Sequence, residues 1–348
     1  MSLISSLTHL EPKAYSATWR SPSNIAFVKY WGKKGHQIPA NPSLSMTLKE
    51  CFTETKVDFT PADALAVDLF LEGKREDRFA LKIKNYLETL TEELPWLKNL
   101  SLNIETKNTF PHGAGIASSA SGLSALALCL TDYIQSFSNE NDQDLFFKRA
   151  SYLSRLASGS ACRSVYGGFT TWGEADLPLA SDKYATPITV HPELAHLKDT
   201  VLVINDAEKS VSSRDGHTRM KEHAFAEARF AQAKHNFKGM VNAMKSGDME
   251  EVGMILEQEA LSLHAMFLTS PNAFTLFKPN SIAAMELIWD FRRETKLPLY
   301  FTFDAGPNLH LIYPEVFKNK IKTFISHELA PLAVKVIDDE RGEGPVRC

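Results

Sequence analysis

Cysteine is scarce in this chain and scattered. Cys51, Cys129, Cys162 and Cys348 are the only four among 348 residues, and no two form a C-x-x-C pair. That spread speaks against a disulfide framework and a clustered zinc site, and it fits a reducing compartment. The histidines show no H-E-x-x-H or similar spacing, so no protein-built transition-metal site is expected. Long apolar runs are missing too: none approaches the ~18 residues of a membrane span. Met1 to Leu10 has neither the basic stretch nor the long apolar core of a signal peptide. Excess positive charge is absent, and a net charge of -4 argues against broad nucleic-acid binding while leaving room for a local basic pocket. There is no internal repeat and no low-complexity tract. The expectation is a soluble, cytoplasmic, globular protein with room for roughly two domains.

What the chain does have is concentrated at Pro111 to Gly122, reading P-H-G-A-G-I-A-S-S-A-S-G. The run from Leu123 to Phe137 that follows lacks Gly and Pro, is rich in Ala and Leu, and predicts a buried helix. Glycine lets backbone approach a ligand, and the first amides of a helix lack intrahelical partners and carry partial positive charge. Such a loop is a ready phosphate cradle, and Ser118, Ser119 and Ser121 add hydroxyls for phosphate oxygens or a metal ion. A plain turn before an N-capped core helix explains the same residues, and both readings stay open at this point. The stretch is neither a Walker A loop nor a dinucleotide fingerprint.

Taken in order, residues 1–17 read as a poorly specified leader and 24–30 as a strand. The polar segment 31–42 reads as a loop, 43–48 and 53–59 as strands, and 67–71 as another strand after a turn. Asp77 to Leu90 has helical spacing, and Leu100 to Thr106 is a strand that delivers the chain into the glycine-rich loop. Asp144 to Ala157 predicts a helix. Leu177 to Leu197, punctuated by Pro and His, is a domain boundary, with domains over 1–190 and 191–348, and Val201 to Ile204 opens the second. Arg219 to Lys245 and Met249 to Leu268 predict two long helices, with Asp248 capping the second. The charges of the first (Arg219, Lys221, Glu222, Glu227, Arg229, Lys234) predict a solvated face. Ser281 to Thr295 reads as a helix, and 299–303 with 309–313 as a hairpin around Asp304 to Asn308. Runs of strands and helices without regular alternation indicate an α+β protein. Cys129 and Trp31 are expected to pack, and His112 to be a bystander.

Four stretches share cations and hydroxyls beside glycines: 24–34, 111–122, 158–168 and 209–219. They supply Lys29, Lys33, Arg163 and Arg214, enough positive charge for more than one phosphate group. Phe303 to Asn308 adds one carboxylate on a turn.

These segments resemble the GHMP kinase superfamily and, within it, the mevalonate diphosphate decarboxylases. The resemblance rests on N-I-A-F-V-K-Y-W-G-K at 24–33, N-P-S-L-S-M-T-L at 41–48 and F-P-H-G-A-G-I-A-S-S-A-S-G at 110–122. It continues in S-G-S-A-C-R-S-V-Y-G-G at 158–168, K-S-V-S-S-R at 209–214 and F-T-F-D-A-G-P-N at 301–308. It implies a two-domain α+β GHMP kinase fold, with a ribosomal-protein-S5-like first domain and a ferredoxin-like second. It also implies ATP-dependent decarboxylation of (R)-5-diphosphomevalonate to isopentenyl diphosphate, with ATP and Mg2+ bound in an interdomain cleft and a homodimer as the common assembly. By resemblance Asp304 is the base or orienting carboxylate for the 3-hydroxyl, Lys29 lies beside it and the transferring phosphate, and Arg163 clamps the substrate carboxylate. Tyr30, Lys33, Ser213 and Arg214 are the set that grips the diphosphate tail, and Ser158 and Ser160 contact the substrate. Gly113, Gly115, Ser118, Ser119 and Ser121 cradle the ATP phosphates, with Lys107 and Asn108 as further nucleotide contacts. His264 matches a family segment without a derivable role.

Structural alternatives stand beside these roles: an Asx-turn for Asp304, a salt bridge for Arg163, a strand lysine for Lys29, turn or cap hydroxyls for the serines. The chain departs from the family pattern at Lys34-Gly35, where Arg-Asp is usual, in a loop to Asn41 about two residues shorter, at Pro42, and at Asp215-Gly216-His217. These lie at the phosphate-gripping end, so phosphomevalonate decarboxylation, 3-hydroxyl phosphorylation alone, or a non-catalytic sensor are the alternatives to weigh.

Overall fold

The computed structural model describes residues 3–4, 10–111, 116–138, 142–178, 180–206 and 213–348, with backbone only at 213–215 and 221. Strand β1 (Tyr15–Val28) leads through a small hairpin, β2 (Lys33–Gly35) and β3 (Ile38–Pro39), into the long β4 (Ser43–Pro61). Then come β5 (Ala66–Leu71), β6 (Lys74–Arg75), helix α1 (Asp77–Leu90) and β7 (Leu100–Asn108). Helices α2 (Ser118–Gln135) and α3 (Gln143–Ala157) follow, then a 3-10 helix (Gly159–Val165), β8 (Phe169–Trp172) and β9 (Thr186–Ile188). The second half runs β10 (Leu197–Val203), α4 (Ser213–Arg219), α5 (Ala226–Ser246), α6 (Met249–Leu268) and α7 (Pro279–Thr295). It ends with β11 (Tyr300–Phe303), β12 (Leu309–Pro314), α8 (Lys318–Phe324), β13 (Lys335–Glu340) and β14 (Val346–Arg347).

The first sheet has eight strands, in the order β14-β1-β4-β7-β5-β6, with β8 and β9 added beside the first half of β4. All its pairings are antiparallel except β5 with β7, which α1 connects as a single βαβ unit. Alternation in β4 and β7 turns Val57, Phe59, Leu102 and Ile104 onto the apolar face of α2, where Leu126, Leu130, Tyr133 and Ile134 meet them. The second sheet is β11-β12-β10-β13, fully antiparallel. Numbered by order in this half, that is 2-3-1-4, the expected ferredoxin-like arrangement.

One buried core joins the two sheets. Ile25, Phe27, Leu44 and Met46 of the first meet Val201, Val203 and Ile312 of the second, with Phe237 and Met240 of α5. Asp339 on β13 adds a polar clasp, accepting the backbone N–H groups of Lys49, Glu50 and Cys51 in β4 at 2.8–2.9 Å. The contact between the two domains is thus both apolar and hydrogen-bonded.

Several sequence expectations change here. The 1–17 leader is shorter than expected, because Tyr15 already pairs with Phe59; β1 then passes through Ser21-Pro22-Ser23 with a register shift that accommodates the proline. The strand expected over 24–30 stops at Val28, the loop over 31–42 contains the β2–β3 hairpin, and the two strands over 43–59 are one. The helix expected from Arg219 starts at Ala226, since His223 Nδ1 accepts the N–H of Phe225 and turns the chain there. Its solvated face is corrected at Arg229, which is buried against Glu259. Asp248 caps α6 as expected, accepting from Glu251 N at 3.0 Å. Cys51, Cys129 and Cys162 are free and buried. Among the described residues no helix is long and apolar enough to cross a membrane.

Candidate active site

Asp304 sits in the turn between β11 and β12, and that turn is pinned from three sides. The Asn308 carboxamide oxygen accepts the N–H groups of Ile204 and Asn205 at 2.8 and 3.0 Å. The Ser281 hydroxyl donates to Pro307 O at 2.7 Å, and His264 Nε2 donates to Asp304 O at 3.1 Å from a ring stacked on Phe277. The hairpin thus fixes the Asp304 backbone and leaves its carboxylate, 26% exposed, facing the first domain.

Lys29 meets it there, just beyond the end of β1. Its ammonium is 2% exposed and donates to Asp304 Oδ1 at 3.3 Å and to Ala26 O at 2.6 Å. Burial pulls the Lys29 ammonium below the ordinary lysine range, against the opposing attraction of Asp304 and Glu259. The backbone around Lys29 is also held: Asn41 donates to its carbonyl at 2.9 Å, and its N–H donates to Glu259 Oε2 at 2.9 Å. Glu259 is itself gripped bidentately by Arg229, at 3.0 and 2.6 Å, and by Asn236 at 2.8 Å.

Arg163 lies on the 3-10 helix, 3% exposed. Its Nε donates to Asn24 Oδ1 at 3.3 Å and Nη1 to the Ser43 hydroxyl at 2.6 Å. These two neutral partners orient the guanidinium without neutralising it. Burial lowers its proton affinity, yet an arginine stays charged, and among the described residues it has no carboxylate in salt-bridge contact. It lies in electrostatic range of both Asp304 and Lys29. A buried planar cation held by amide and hydroxyl groups is suited to a ligand carboxylate.

Tyr30 closes another wall. Its ring packs on Trp172 and His217, with centroids 4.7 and 4.5 Å away. Its buried hydroxyl has no hydrogen-bond partner among the described residues, and burial pushes its acidity well away from neutrality, so it is a donor. Gly159 is needed beside it: a Cβ there would lie 2.8 Å from the Tyr30 hydroxyl. Trp31 packs as expected, against Phe267 and the ring of His217, whose Nδ1 accepts the N–H of Gly32 at 3.0 Å. Burial and then the nearby Lys33 depress His217 to about 3, so it is neutral. Lys33 begins β2 opposite Pro39. Ser158 and Ser160 flank the start of the Arg163 helix, half-buried. Ser213 and Arg214 contribute backbone to α4, and their side chains lie outside the described residues.

A second cleft, about 470 Å3, opens between β5, β7, α1 and the start of α2. Leu69, Leu71, Ile83, Tyr86 and Leu126 give it an apolar end, and Asn108, Ser118 and Ser119 a polar one. Ser121 is buried below, its hydroxyl 2.6 Å from that of Thr53, which donates to Asn108 at 2.7 Å. Lys107 is not brought to this cleft: strand alternation turns it to the opposite face, where it pairs with Glu54 at 2.6 Å. Gly113, Gly115 and His112 lie outside the described residues. The Ser21 hydroxyl links the two clefts, 2.5 Å from Ser124 of α2 and donating to Ser164 O beside Arg163 at 3.0 Å.

Glu259, Arg229, Asn236, Asn41 and His264 went unread as site residues. A signal existed for two of them. Glu259 stands among Leu256, Ala260 and Leu263, and Arg229 between Ala226 and Ala233, so helical spacing places both charges on buried stripes.

Residues 21–185 match the family model of the diphosphomevalonate decarboxylase-like N-terminal domain, and 200–341 that of the mevalonate 5-diphosphate decarboxylase C-terminal domain. The chain is 30% identical over 325 residues to the diphosphomevalonate decarboxylase of Candida albicans, covering 89% of this chain and 88% of that protein. It is likewise 30% identical over 329 residues to that of Saccharomyces cerevisiae, covering 89% and 81%. Among solved structures, the mevalonate diphosphate decarboxylase from Staphylococcus aureus superposes with a TM-score of 0.83 at 30% identity, over 97% of this chain and 98% of that one. A structure of MDDEF in complex with MVAPP, AMPPCP and magnesium gives 0.83 at 32% identity, over 97% and 99%. With both halves matched in order, and with the two-domain GHMP kinase fold in common, the chain belongs to the diphosphomevalonate decarboxylase family.

Proposed function

We propose that this enzyme performs its family's reaction, the ATP-dependent decarboxylation of (R)-5-diphosphomevalonate to isopentenyl diphosphate with release of ADP, phosphate and CO2, through Asp304, Lys29 and Arg163. The observation that carries the assignment is the Lys29–Asp304 contact across the domain seam, with buried Arg163 in electrostatic range of both. A tertiary hydroxyl is a poor leaving group, so it is phosphorylated first. Asp304 takes or orients the proton of that hydroxyl, and Lys29 holds Asp304 and faces the phosphate being transferred. Arg163 fixes the substrate carboxylate in line for loss as phosphate departs and positive charge builds at the neighbouring carbon. Tyr30, Lys33, Ser158, Ser160, Ser213 and Arg214 take the rest of the substrate. The apolar end of the second cleft takes the base of ATP, and Ser118, Ser119 and the Gly113–Gly115 loop its phosphates.

The Ser118 and Ser119 hydroxyls, at the polar end of the second cleft, would hold Mg2+ together with the nucleotide phosphates, and the ion would supply neutralisation of the triphosphate charge. The same proposal divides the chain at 190, with 1–190 holding nucleotide and 191–348 supplying Asp304.

The test is ADP release from ATP and Mg2+ with mevalonate, 5-phosphomevalonate or 5-diphosphomevalonate, with CO2 followed in parallel. Equal ADP and CO2 from the diphosphate alone is the expected result. Turnover of the monophosphate would reassign the substrate, and ADP without CO2 would leave a kinase.

A further inference from the structure

Helix α6 touches both charged partners of the site, and it does so on their backbones. Glu259 and His264 are 0% and 1% exposed on this helix, separated by about 7.5 Å along its axis. Glu259 Oε2 accepts the N–H of Lys29 at 2.9 Å, and His264 Nε2 lies 3.1 Å from the carbonyl oxygen of Asp304. The helix itself rests directly on β11: a Cβ at Gly253 would meet the Tyr300 ring at 2.3 Å. Both contacts therefore hang from one rigid element, while the side chains of Lys29 and Asp304 meet in front of it, 3.3 Å apart.

None of the roles assigned above falls to His264, yet its ring is tightly constrained. A carbonyl oxygen can only accept, so Nε2 carries the proton toward Asp304. The imidazole is stacked on Phe277, with centroids 4.0 Å apart and planes 10° from parallel. It meets the rings of Phe303 and Phe267 edge to face, at 5.3 and 5.4 Å. Three aromatic walls hold the donor in one direction. The Asp304 carbonyl also accepts the N–H of Gly306 at 2.7 Å, which closes a three-residue turn. The bond from His264 is thus not needed to satisfy that oxygen. What it adds is direction, because it ties the Asp304 peptide to α6 as well as to its own turn.

We propose that His264 is a positioning residue for Asp304. Its Nε2–H fixes the Asp304 peptide, and with it the aim of the carboxylate, against the same helix that fixes Lys29 through Glu259. From behind, α6 sets how the two side chains meet the substrate hydroxyl and the phosphate being transferred. This rests on the reaction assigned above.

The test compares the full-length enzyme with His264→Phe, His264→Gln, Asp304→Asn and the double variant His264→Phe/Asp304→Asn, reading ADP and CO2 from ATP and diphosphomevalonate. Phe keeps a stacked ring and removes the donor, whereas Gln places an amide N–H near the position of Nε2. Misplacing a reacting group by about 1 Å slows a reaction by about 10²-fold. His264→Phe is therefore expected to lower kcat by about 10–100-fold, with KM for both substrates little changed. Its urea midpoint should match that of the parent, since Gly306 still satisfies the Asp304 carbonyl. His264→Gln should return most of kcat. Beyond the loss from Asp304→Asn, the added Phe should lower turnover by no more than about twofold, because no carboxylate is left to aim. A packing defect would instead multiply the two losses. Should His264→Phe not fold, His264→Leu takes its place with the same expectations. A crystal structure of the folded donorless variant should show the Asp304 carboxylate displaced from Lys29 by more than about 0.5 Å, a readout independent of turnover. Multiplied losses, a Gln variant no better than Phe, or an unmoved carboxylate would overturn the proposal. Parent enzyme that releases no ADP or CO2 from the diphosphate overturns the reaction assignment and this inference with it. Parent turnover with an unimpaired donorless variant overturns this inference alone.

Discussion

The backbone N–H of Lys29, in the first domain, is bound by the carboxylate of Glu259 in α6 of the second, 2.9 Å away. Arg229 and Asn236 hold the other positions of that carboxylate. The site lysine is thus set by its own backbone as much as by its ammonium contact with Asp304. A buried Arg–Glu pair contributes little net stability, but breaking it is expensive.

Glu259→Leu strands Arg229 in the interior, and the expected loss is about 3–5 kcal/mol in urea unfolding. Replacing both partners, Glu259→Leu with Arg229→Met, should recover most of that stability. Activity should stay low in the double variant, because the Lys29 N–H still lacks its acceptor. Full recovery of kcat together with stability would show that the clamp is structural only.

Asp304→Asn preserves size and the turn while removing the negative charge. The expected loss in kcat is about 10²–10⁴-fold, with KM for ATP and substrate within a few-fold of the parent. ADP and CO2 should fall together, since phosphorylation precedes decarboxylation. Steady ADP release with CO2 abolished would instead place Asp304 after phosphoryl transfer.

Burial pulls Lys29 down, so it sheds its proton at lower pH than an exposed lysine. The basic limb of the kcat profile should accordingly lie below the ordinary lysine range, and Lys29→Arg, if active, should move it up. The folded form binds fewer protons at this site than the unfolded chain does. Its contribution to stability therefore rises as pH passes upward through the folded-state value. A basic limb at the ordinary lysine value would count against a Lys29 depressed by burial.

Ser118 and Ser121 lie in the same helix turn but face different surroundings. Ser118 lines the second cleft, whereas Ser121 is buried against Thr53. Ser118→Ala should raise the KM for ATP severalfold and leave thermal unfolding unchanged. Ser121→Ala should cost about 1 kcal/mol of stability and shift that KM less. The reverse pattern would exchange their roles.

The sequence made the local elements legible wherever period and punctuation agreed. The 309–313 strand, the α6 cap at Asp248 and the apolar run of α2 were all readable, and shared motifs pointed to Asp304, Lys29 and Arg163. What composition hid was tertiary. Ser21-Pro22-Ser23 reads as part of no element, being polar and carrying a proline, yet it runs inside a strand whose hydroxyls bond to α2 and to the Arg163 helix. Arg229 reads as surface because its partner lies 30 residues on, in another helix. Lys107 reads as a nucleotide contact by adjacency, but a strand sends neighbours to opposite faces, and only Asn108 reaches the cleft.

The edge of the first sheet at Trp19 and Arg20 is closed by Arg347 and Val346, and Arg347 also binds Asp132 of α2 at 2.7 Å. During synthesis, then, the first domain leaves the ribosome with a bare strand edge that stays open until the whole second domain has followed. Nascent chains stalled short of Val346 should exchange the amide of Arg20 quickly, while that of Trp19, turned toward β4, stays protected, and such an edge is where another strand could pair by mistake.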